Sequence, residues 1–236
     1  LWIGASYERA AAVAGDPHRV KATARDLGAS MARRLPAGLT VSATLVAAGI
    51  AGIQTFATGG IGGVHRDAAQ SGDISSDLLQ LTRSPVITVC SGAKSVLDLS
   101  RTLEYLETAG VPVFAYRSEE FPAFFLRTSG IPCAALDSPL QIAQVARLQW
   151  NLGSSSALVI GNPLPAEHAI DVEMWERWSA TAHRDAQENN IRGKAVTPYL
   201  LDHVARASQG ETVRANLVLL EANARLAAEI AIELLR

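Results

Sequence analysis

The stretch VITVCSGAKSVLDLSRTLEYLETAGVPVFAY, residues 86–116, decides the fold. Val86–Cys90 is a short apolar run rich in β-branched residues and reads as a buried strand. Ser95–Ala109 follows with apolar residues at helical spacing, Gly110 supplies a C-terminal stop, and Val111–Tyr116 reads as the next strand. A strand, a helix and a strand in that order form the unit of a mainly parallel sheet covered by helices.

The pattern continues outward in both directions. Ile53–Ala57 and Ala157–Ile160 are further candidate strands. Val20–Arg34, Val41–Ala51, Ser75–Thr82 and Pro139–Asn151, the last capped by Ser138, are candidate helices. After Asn162-Pro163-Leu164-Pro165 the strands stop. Helical spacing then covers Val172–Glu188, Pro198–Ala207, with Pro198 at its first position, and Val213–Leu235, and these helices are expected on the same sheet. The fold class is α/β. No repeat or linker divides the chain, so residues 1–236 read as a single domain.

Length and composition agree with that reading. The 236 residues, 48% hydrophobic and 19% charged, suffice for one sizeable core. A formal net charge of −2 gives no electrostatic argument for a nucleic-acid or acidic-membrane partner. Cys90 and Cys133 lie in apolar stretches without metal-ligand spacing, so the expectation is two reduced core thiols and a cytoplasmic protein. Leu39–Val64 carries no formal charge, long enough to raise the question of a membrane span. Six glycines between Gly49 and Gly63 argue instead for a buried helix, a buried strand and a loop. The chain opens at Leu1 with neither a basic nor a long apolar leader, which suggests a start inside a longer protein.

Three motifs carry chemistry. Thr58-Gly59-Gly60-Ile61-Gly62-Gly63-Val64-His65-Arg66 follows a strand, and such a loop lets backbone N–H groups approach a phosphate while His65 or Arg66 supplies charge. The glycines fit neither the dinucleotide fingerprint nor a P-loop, and they would equally serve a tight strand exit with no ligand. Asp73-Ile74-Ser75-Ser76-Asp77 places two carboxylates at i and i+4 near a helix start. One could cap the helix and the other face a ligand or a hard cation; good capping alone would also explain them. Ser91-Gly92-Ala93-Lys94 puts a lysine at the carboxyl end of a strand, the edge where open α/β sheets bind ligands. Burial and the positive end of a following helix would both favour its neutral amine, which can attack a sugar carbonyl. An exposed first-turn lysine is the ordinary alternative.

Taken together, TVSATLVAAGIAGIQTFATGGIGGVHR, DISSDL, VCSGAKSVLDLSRTLEYLETAGVPV, the FPAFF and RTSG segments, and NPLP resemble, in order and spacing, the pseudouridine-5'-phosphate glycosidases, the indigoidine-synthase-A-like family. The resemblance covers almost the whole chain and extends through Gly193-Lys194, Thr197-Pro198 and the region of Asn216 and Asn223. It implies a three-layer α/β/α fold, a homotrimer, one divalent ion per subunit (Mn²⁺, with Mg²⁺ possible), and reversible cleavage of pseudouridine 5'-phosphate to uracil and ribose 5-phosphate in pseudouridine catabolism.

By the resemblance Lys94 matches the Schiff-base nucleophile and Asp73 the metal-binding aspartate. Ser75, Ser76 and Asp77 match the adjoining substrate segment. Lys21, on the first expected helix, and Val41 match substrate contacts; Thr58, His65 and Asn216 fall at phosphate contacts. The resemblance places the general acid, a glutamate, in a segment upstream of Leu1, and therefore implies an N-terminally incomplete domain. Glu8, in the setting SYERAA, does not match that glutamate's motif. Two other readings use the same residues: another lysine-dependent sugar-phosphate lyase, which would not select uracil, and a noncatalytic phosphosugar-binding protein.

Overall fold

A computed structural model describes the backbone of residues 1–236 and every side chain except that of Lys194. In chain order the elements are α1 (Tyr7–Gly15), β1 (Val20–Ala22), α2 (Leu27–Ala32), β2 (Ala37–Leu39), α3 (Val41–Ala51), β3 (Thr55–Ala57), α4 (Ala68–Ser71), α5 (Ser76–Leu81), β4 (Ile87–Cys90) and α6 (Leu99–Thr108). They continue with β5 (Val113–Tyr116), β6 (Ala135–Leu136), α7 (Pro139–Asn151), β7 (Leu158–Gly161), α8 (Val172–Glu188), α9 (Val196–Ala207) and α10 (Glu211–Leu234).

Five strands pair in the order β3-β4-β7-β5-β6, every pairing parallel. The two central strands are buried along their whole length, as their unbroken apolar sequences require when both faces are covered. Side-chain alternation sorts them by face. Ile87 and Val89 of β4, with Leu158 and Ile160 of β7, meet Ile142 and Ala146 of α7 and Leu226, Ala227 and Ile230 of α10. Cys90 and Val159 belong to the opposite layer, with Leu45 of α3, Leu78 and Leu81 of α5, and Leu106 of α6. The fold is α/β with helices on both faces of a parallel sheet. Of the C-terminal helices, α10 lies on the sheet; α8 pairs with α9 and joins the core through Trp175, whose ring is 5.5 Å from that of Phe125.

Local chemistry sets the helix ends. Ser138 caps α7 by accepting from the Gln141 N–H at 3.2 Å, and Pro139 opens the helix. Leu39–Val64 resolves into the end of β2, then α3, β3 and a glycine-rich loop.

Four expectations are corrected. Val20–Arg34 is not one helix: Val20–Ala22 pairs in parallel with Ala37–Leu39, a 3-10 turn spans Ala24–Asp26, and only Leu27–Ala32 is α-helical. Asp26 accepts from both the backbone N–H and the hydroxyl of Thr23, at 3.0 and 2.8 Å, so helical geometry starts after Thr23 and Lys21 sits on a strand. The helix after Lys94 starts four residues later than Ser95 because Asp98 is its cap, accepting from the Arg101 N–H at 3.0 Å. Ser75, rather than either aspartate, caps α5. Pro198 lies at the third residue of α9, which begins at Val196.

Candidate active site

The loops that leave β3 and β4 at their carboxyl ends stay paired beyond the strands. Ser91 N–H donates to Gly59 O at 2.9 Å, Ile61 N–H to Gly92 O at 3.1 Å, and Lys94 N–H to Ile61 O at 3.1 Å. Glycine is required where the chains pass closest. A Cβ on Gly62 would lie 2.1 Å from Ser75 Oγ and 2.7 Å from Asp77 Oδ2, and Gly92, at φ +95°, has Pro122 O in the same space at 2.0 Å. The 62–65 segment then runs antiparallel to 73–75: His65 N–H donates to Asp73 O at 3.1 Å and Ser75 N–H to Gly63 O at 3.0 Å. This pairing brings the His65 ring beside the Asp73 carboxylate, Nε2 to Oδ2 3.9 Å.

These segments, with β1, enclose a cavity of about 480 Å³ at the carboxyl edge of β3 and β4. Its wall includes Lys21, His65, Asp73, Ser75, Ser76, Asp77 and Lys94. Seven of the ten candidate positions therefore share one space. Val41 does not line it; it is buried at the start of α3, beside the lining residue Thr40. Thr58 and Asn216 are also off the wall. The Thr58 carbonyl accepts from Asn223 Nδ2, and Asn216 Oδ1 lies 3.2 Å from where a Gly59 Cβ would stand.

Asp77 is buried and fully engaged. Its Oδ1 accepts from the Ser42 N–H at 2.8 Å and its Oδ2 from the Gly62 N–H at 2.9 Å. The carboxylate thus fixes α3 and the glycine loop to α5, and Ser42 Oγ adds a contact to Ser76 Oγ at 3.2 Å. Asp73 is the partly exposed carboxylate on the wall. Among the described residues no group of three His, Cys, Asp or Glu could hold a metal. A divalent ion here would rest on Asp73 oxygens with water filling its other positions, a donor set that suits Mg²⁺ or Mn²⁺.

Lys94 is half-buried on this wall. Burial lowers its basicity below the ordinary lysine value; the Asp77 carboxylate acts the other way, and the Lys21 ammonium adds to the lowering. The expected contribution from a helix N-terminus is replaced by burial, since α6 begins beyond Asp98. The chain has three lysines, Lys21, Lys94 and Lys194, against eighteen arginines. Lys21 and Lys94 line the cavity. An amine shifts toward neutrality more readily than a guanidinium, so the residue type matches the place.

The sequence reading missed Thr23, Arg25, Thr40, Leu97, Gly193 and Thr197 on the wall. Thr23-Ala24-Arg25-Asp26 carries a usable signal, the capping-box spacing that ends β1 and turns the chain toward the cavity. Gly193 and Thr197 come from the approach to α9, with no local signal for the site.

Fold and site together define an α/β protein with an amine of lowered basicity in a cavity at the carboxyl edge of its sheet, beside cationic and hydroxyl groups able to grip a phosphorylated carbonyl compound. The chain belongs to the family of indigoidine synthase A like proteins, whose description matches residues 1–233. It is 44% identical over 233 residues to the pseudouridine-5'-phosphate glycosidase of Caldanaerobacter subterraneus subsp. tengcongensis, covering 98% of this chain and 76% of the relative. It is 46% identical to pseudouridine-5'-phosphate glycosidase 2 of Rhizobium johnstonii, covering 98% and 75%. Among solved structures, an indigoidine synthase A-like protein of Thermotoga maritima superposes with a TM-score of 0.90 at 35% identity, covering 99% of this chain and 77% of that one. The prealnumycin C-glycosynthase AlnA, in complex with ribulose 5-phosphate, superposes with a TM-score of 0.87 at 39% identity, covering 93% and 72%.

Proposed function

We propose that the chain catalyses reversible cleavage of the C-glycosidic bond of pseudouridine 5'-phosphate, giving uracil and ribose 5-phosphate through an imine on Lys94. The observation that carries this reading is the placing of Lys94, its basicity lowered by burial, in one cavity with Lys21, His65 and Asp73. Relatives named for this glycosidase support the bond type and substrate. A C-glycosynthase neighbour bound to a pentulose phosphate supports a sugar-phosphate pocket.

A carbon–carbon glycosidic bond has no leaving oxygen to protonate, so the acid-assisted route of ordinary glycosidases is poorly served. The neutral Lys94 amine instead attacks C1' as the C1'–O4' bond breaks, and the proton that the nitrogen gives up passes to the ring oxygen. A proton reaches uracil C5, the nitrogen lone pair forms C1'=N⁺, and the C1'–C5 bonding pair returns to the base, which departs. Water adds to the iminium and releases ribose 5-phosphate and the free amine. Lys21 and His65 balance the phosphate charge. Asp73 would hold the divalent ion, Mn²⁺ with Mg²⁺ as the alternative, whose bound waters would orient the sugar.

A homotrimer is part of the proposal. The i, i+4, i+7 face of α10 formed by Val213, Leu217 and Leu220 is exposed at 49%, 63% and 38%, an apolar stripe suited to cover by another subunit. No helix among the described residues is long and apolar enough to cross a membrane. Two unpaired cysteines fit a cytoplasmic setting.

The test is reductive trapping. The protein is mixed with Mn²⁺ and ribose 5-phosphate, the imine is reduced with borohydride, and the added mass is located by peptide mapping. An adduct on Lys94, lost in Lys94→Ala, is expected. With only three lysines in the chain, an adduct on Lys21 or Lys194 alone, or none on folded protein, would sink the assignment. A lyase of another substrate class would form the adduct but consume it without dependence on uracil.

A further inference from the structure

Asn223 stands in the middle of α10 with none of its surface exposed. The same helix face carries Leu219, Leu226, Ala227 and Ile230, all buried in the core. A polar side chain in such a stripe is costly unless every group is partnered, and here it is. Its Nδ2 donates to the Thr58 carbonyl at 2.8 Å and lies 3.1 Å from Ser91 Oγ. Its Oδ1 accepts from Asn162 Nδ2 at 3.0 Å and lies 3.4 Å from the same hydroxyl.

The three partners are the residues that leave three adjacent strands. Thr58 follows β3, Ser91 follows β4 and Asn162 follows β7. One amide therefore joins the carboxyl edges of β3, β4 and β7. From Ser91 the linkage runs to Lys94 in three backbone bonds: Ser91 N–H to Gly59 O, Ile61 N–H to Gly92 O and Lys94 N–H to Ile61 O. From the same loop, Gly62 N–H reaches Asp77. A leucine at 223 would extend the apolar stripe; the amide instead fixes the mutual register of the two loops that carry the lysine and the glycine turn.

We infer that Asn223 is a positioning residue for Lys94, holding the Thr58–Ile61 and Ser91–Lys94 segments so that the amine stays within attacking distance of a bound sugar carbonyl. The inference rests on the reading of Lys94 as the imine-forming residue. It carries a specific kinetic signature. Lys21 and His65, which would meet the phosphate, are held by β1 and by the pairing of 62–65 with 73–75, and neither belongs to the Asn223 linkage. Loss of Asn223 should therefore slow attack while sparing ribose 5-phosphate affinity.

The experiment measures the rate of reductive trapping per folded molecule against ribose 5-phosphate concentration, well below the melting temperature. Wild type is compared with Asn223→Ala, with Asn223→Asp, which keeps the acceptor but sets a carboxylate oxygen against the Thr58 carbonyl, and with Ser91→Ala, which removes a single link. The maximal rate is expected to fall about 10–100-fold in the two Asn223 variants, the scale of a misplacement of about 1 Å. Ser91→Ala should lose less, and half-saturation should stay within about threefold of wild type in all of them. If Asn223→Ala does not fold, Asn223→Asp and Ser91→Ala carry the comparison. An unchanged maximal rate in folded variants, with only a lowered melting temperature, overturns the positioning role. So does an unchanged maximal rate with a tenfold rise in half-saturation. Absence of trapping in wild type overturns the Lys94 reading itself, and the positioning role falls with it.

Discussion

Replacing Asp77 by asparagine separates two jobs of one carboxylate. Its two oxygens accept buried backbone N–H bonds from Ser42 and Gly62, at 2.8 and 2.9 Å. Asparagine preserves the shape but offers one acceptor, so its NH₂ group must face one of the two donors. A buried donor without a partner costs about 1–3 kcal/mol. At about 2–4 °C per kcal/mol for a chain of this size, melting should fall by several degrees. The electrostatic effect has a different direction. The Asp77 carboxylate raises the basicity of Lys94 against the lowering by burial and by Lys21. Without that anion the amine should lose its proton at lower pH, and the pH midpoint of reductive trapping should move to the acid side even if the maximal rate drops. Thermal melts and a trapping-rate profile over pH read the two effects separately. A variant as stable as wild type, or one whose midpoint moves to higher pH, would refute the argument that Asp77 both ties the loops and sets the state of Lys94.

Lys94 also couples stability to pH. Its pKa is lower in the folded state than in an unfolded chain, so folding opposes protonation. Wild-type stability should rise as pH climbs from the folded-state value toward the unfolded value of about 10.4, and fall as pH drops back through that window. Lys94→Met, which keeps the length without the charge, should lack this component, as urea unfolding across that pH range would reveal; parallel curves for the two proteins would exclude it. Glycine substitutions test the loop geometry by a matched pair. Gly92→Ala and Gly153→Ala both place a side chain at left-handed φ, +95° and +91°, but only the Cβ at position 92 meets another atom, Pro122 O at 2.0 Å. Strain alone costs about 1–3 kcal/mol, so Gly153→Ala should fold with a modest loss and Gly92→Ala should lose clearly more. Equal losses in chemical denaturation would mean that the close approach of the Gly92 turn to Pro122 carries no weight.

The centre of the sheet was legible because β4 and β7 are buried on both faces and read as unbroken apolar runs. Val86–Cys90 and Ala157–Ile160 matched β4 and β7 to within a residue. The pieces that went unread are short. Val20–Ala22 exists as a strand only because Ala37–Leu39 lies beside it, and three residues are too few for alternation to register. The same holds for Ala135–Leu136 on the far edge of the sheet. Lys21 was therefore found by its resemblance and put on the wrong element, while its position on the cavity wall depends on a pairing that no local pattern announces. Lys94 shows a related split. Its place at a strand exit and burial as a cause of its lowered basicity were readable, but the expected help from a helix N-terminus was not met, because Asp98 moves the helix start away and leaves burial as the main cause.

That split has a mechanistic consequence. A helix dipole acts on whatever sits at its N-terminus, whereas burial acts only while the surrounding loops stay closed. The state of Lys94 therefore depends on groups that tie the surrounding elements together: Asp77, which joins α3, α5 and the glycine loop, and Asn223, which joins three strand ends. Loosening either would admit water to the amine and raise its basicity, although removing the Asp77 charge also pushes the other way. The two sites thus make opposite demands on the same measurement. A site whose amine is governed by burial should show an acid shift for Asp77→Asn, where the lost charge dominates, and a shift toward the ordinary lysine value for Asn223→Ala, where only hydration changes.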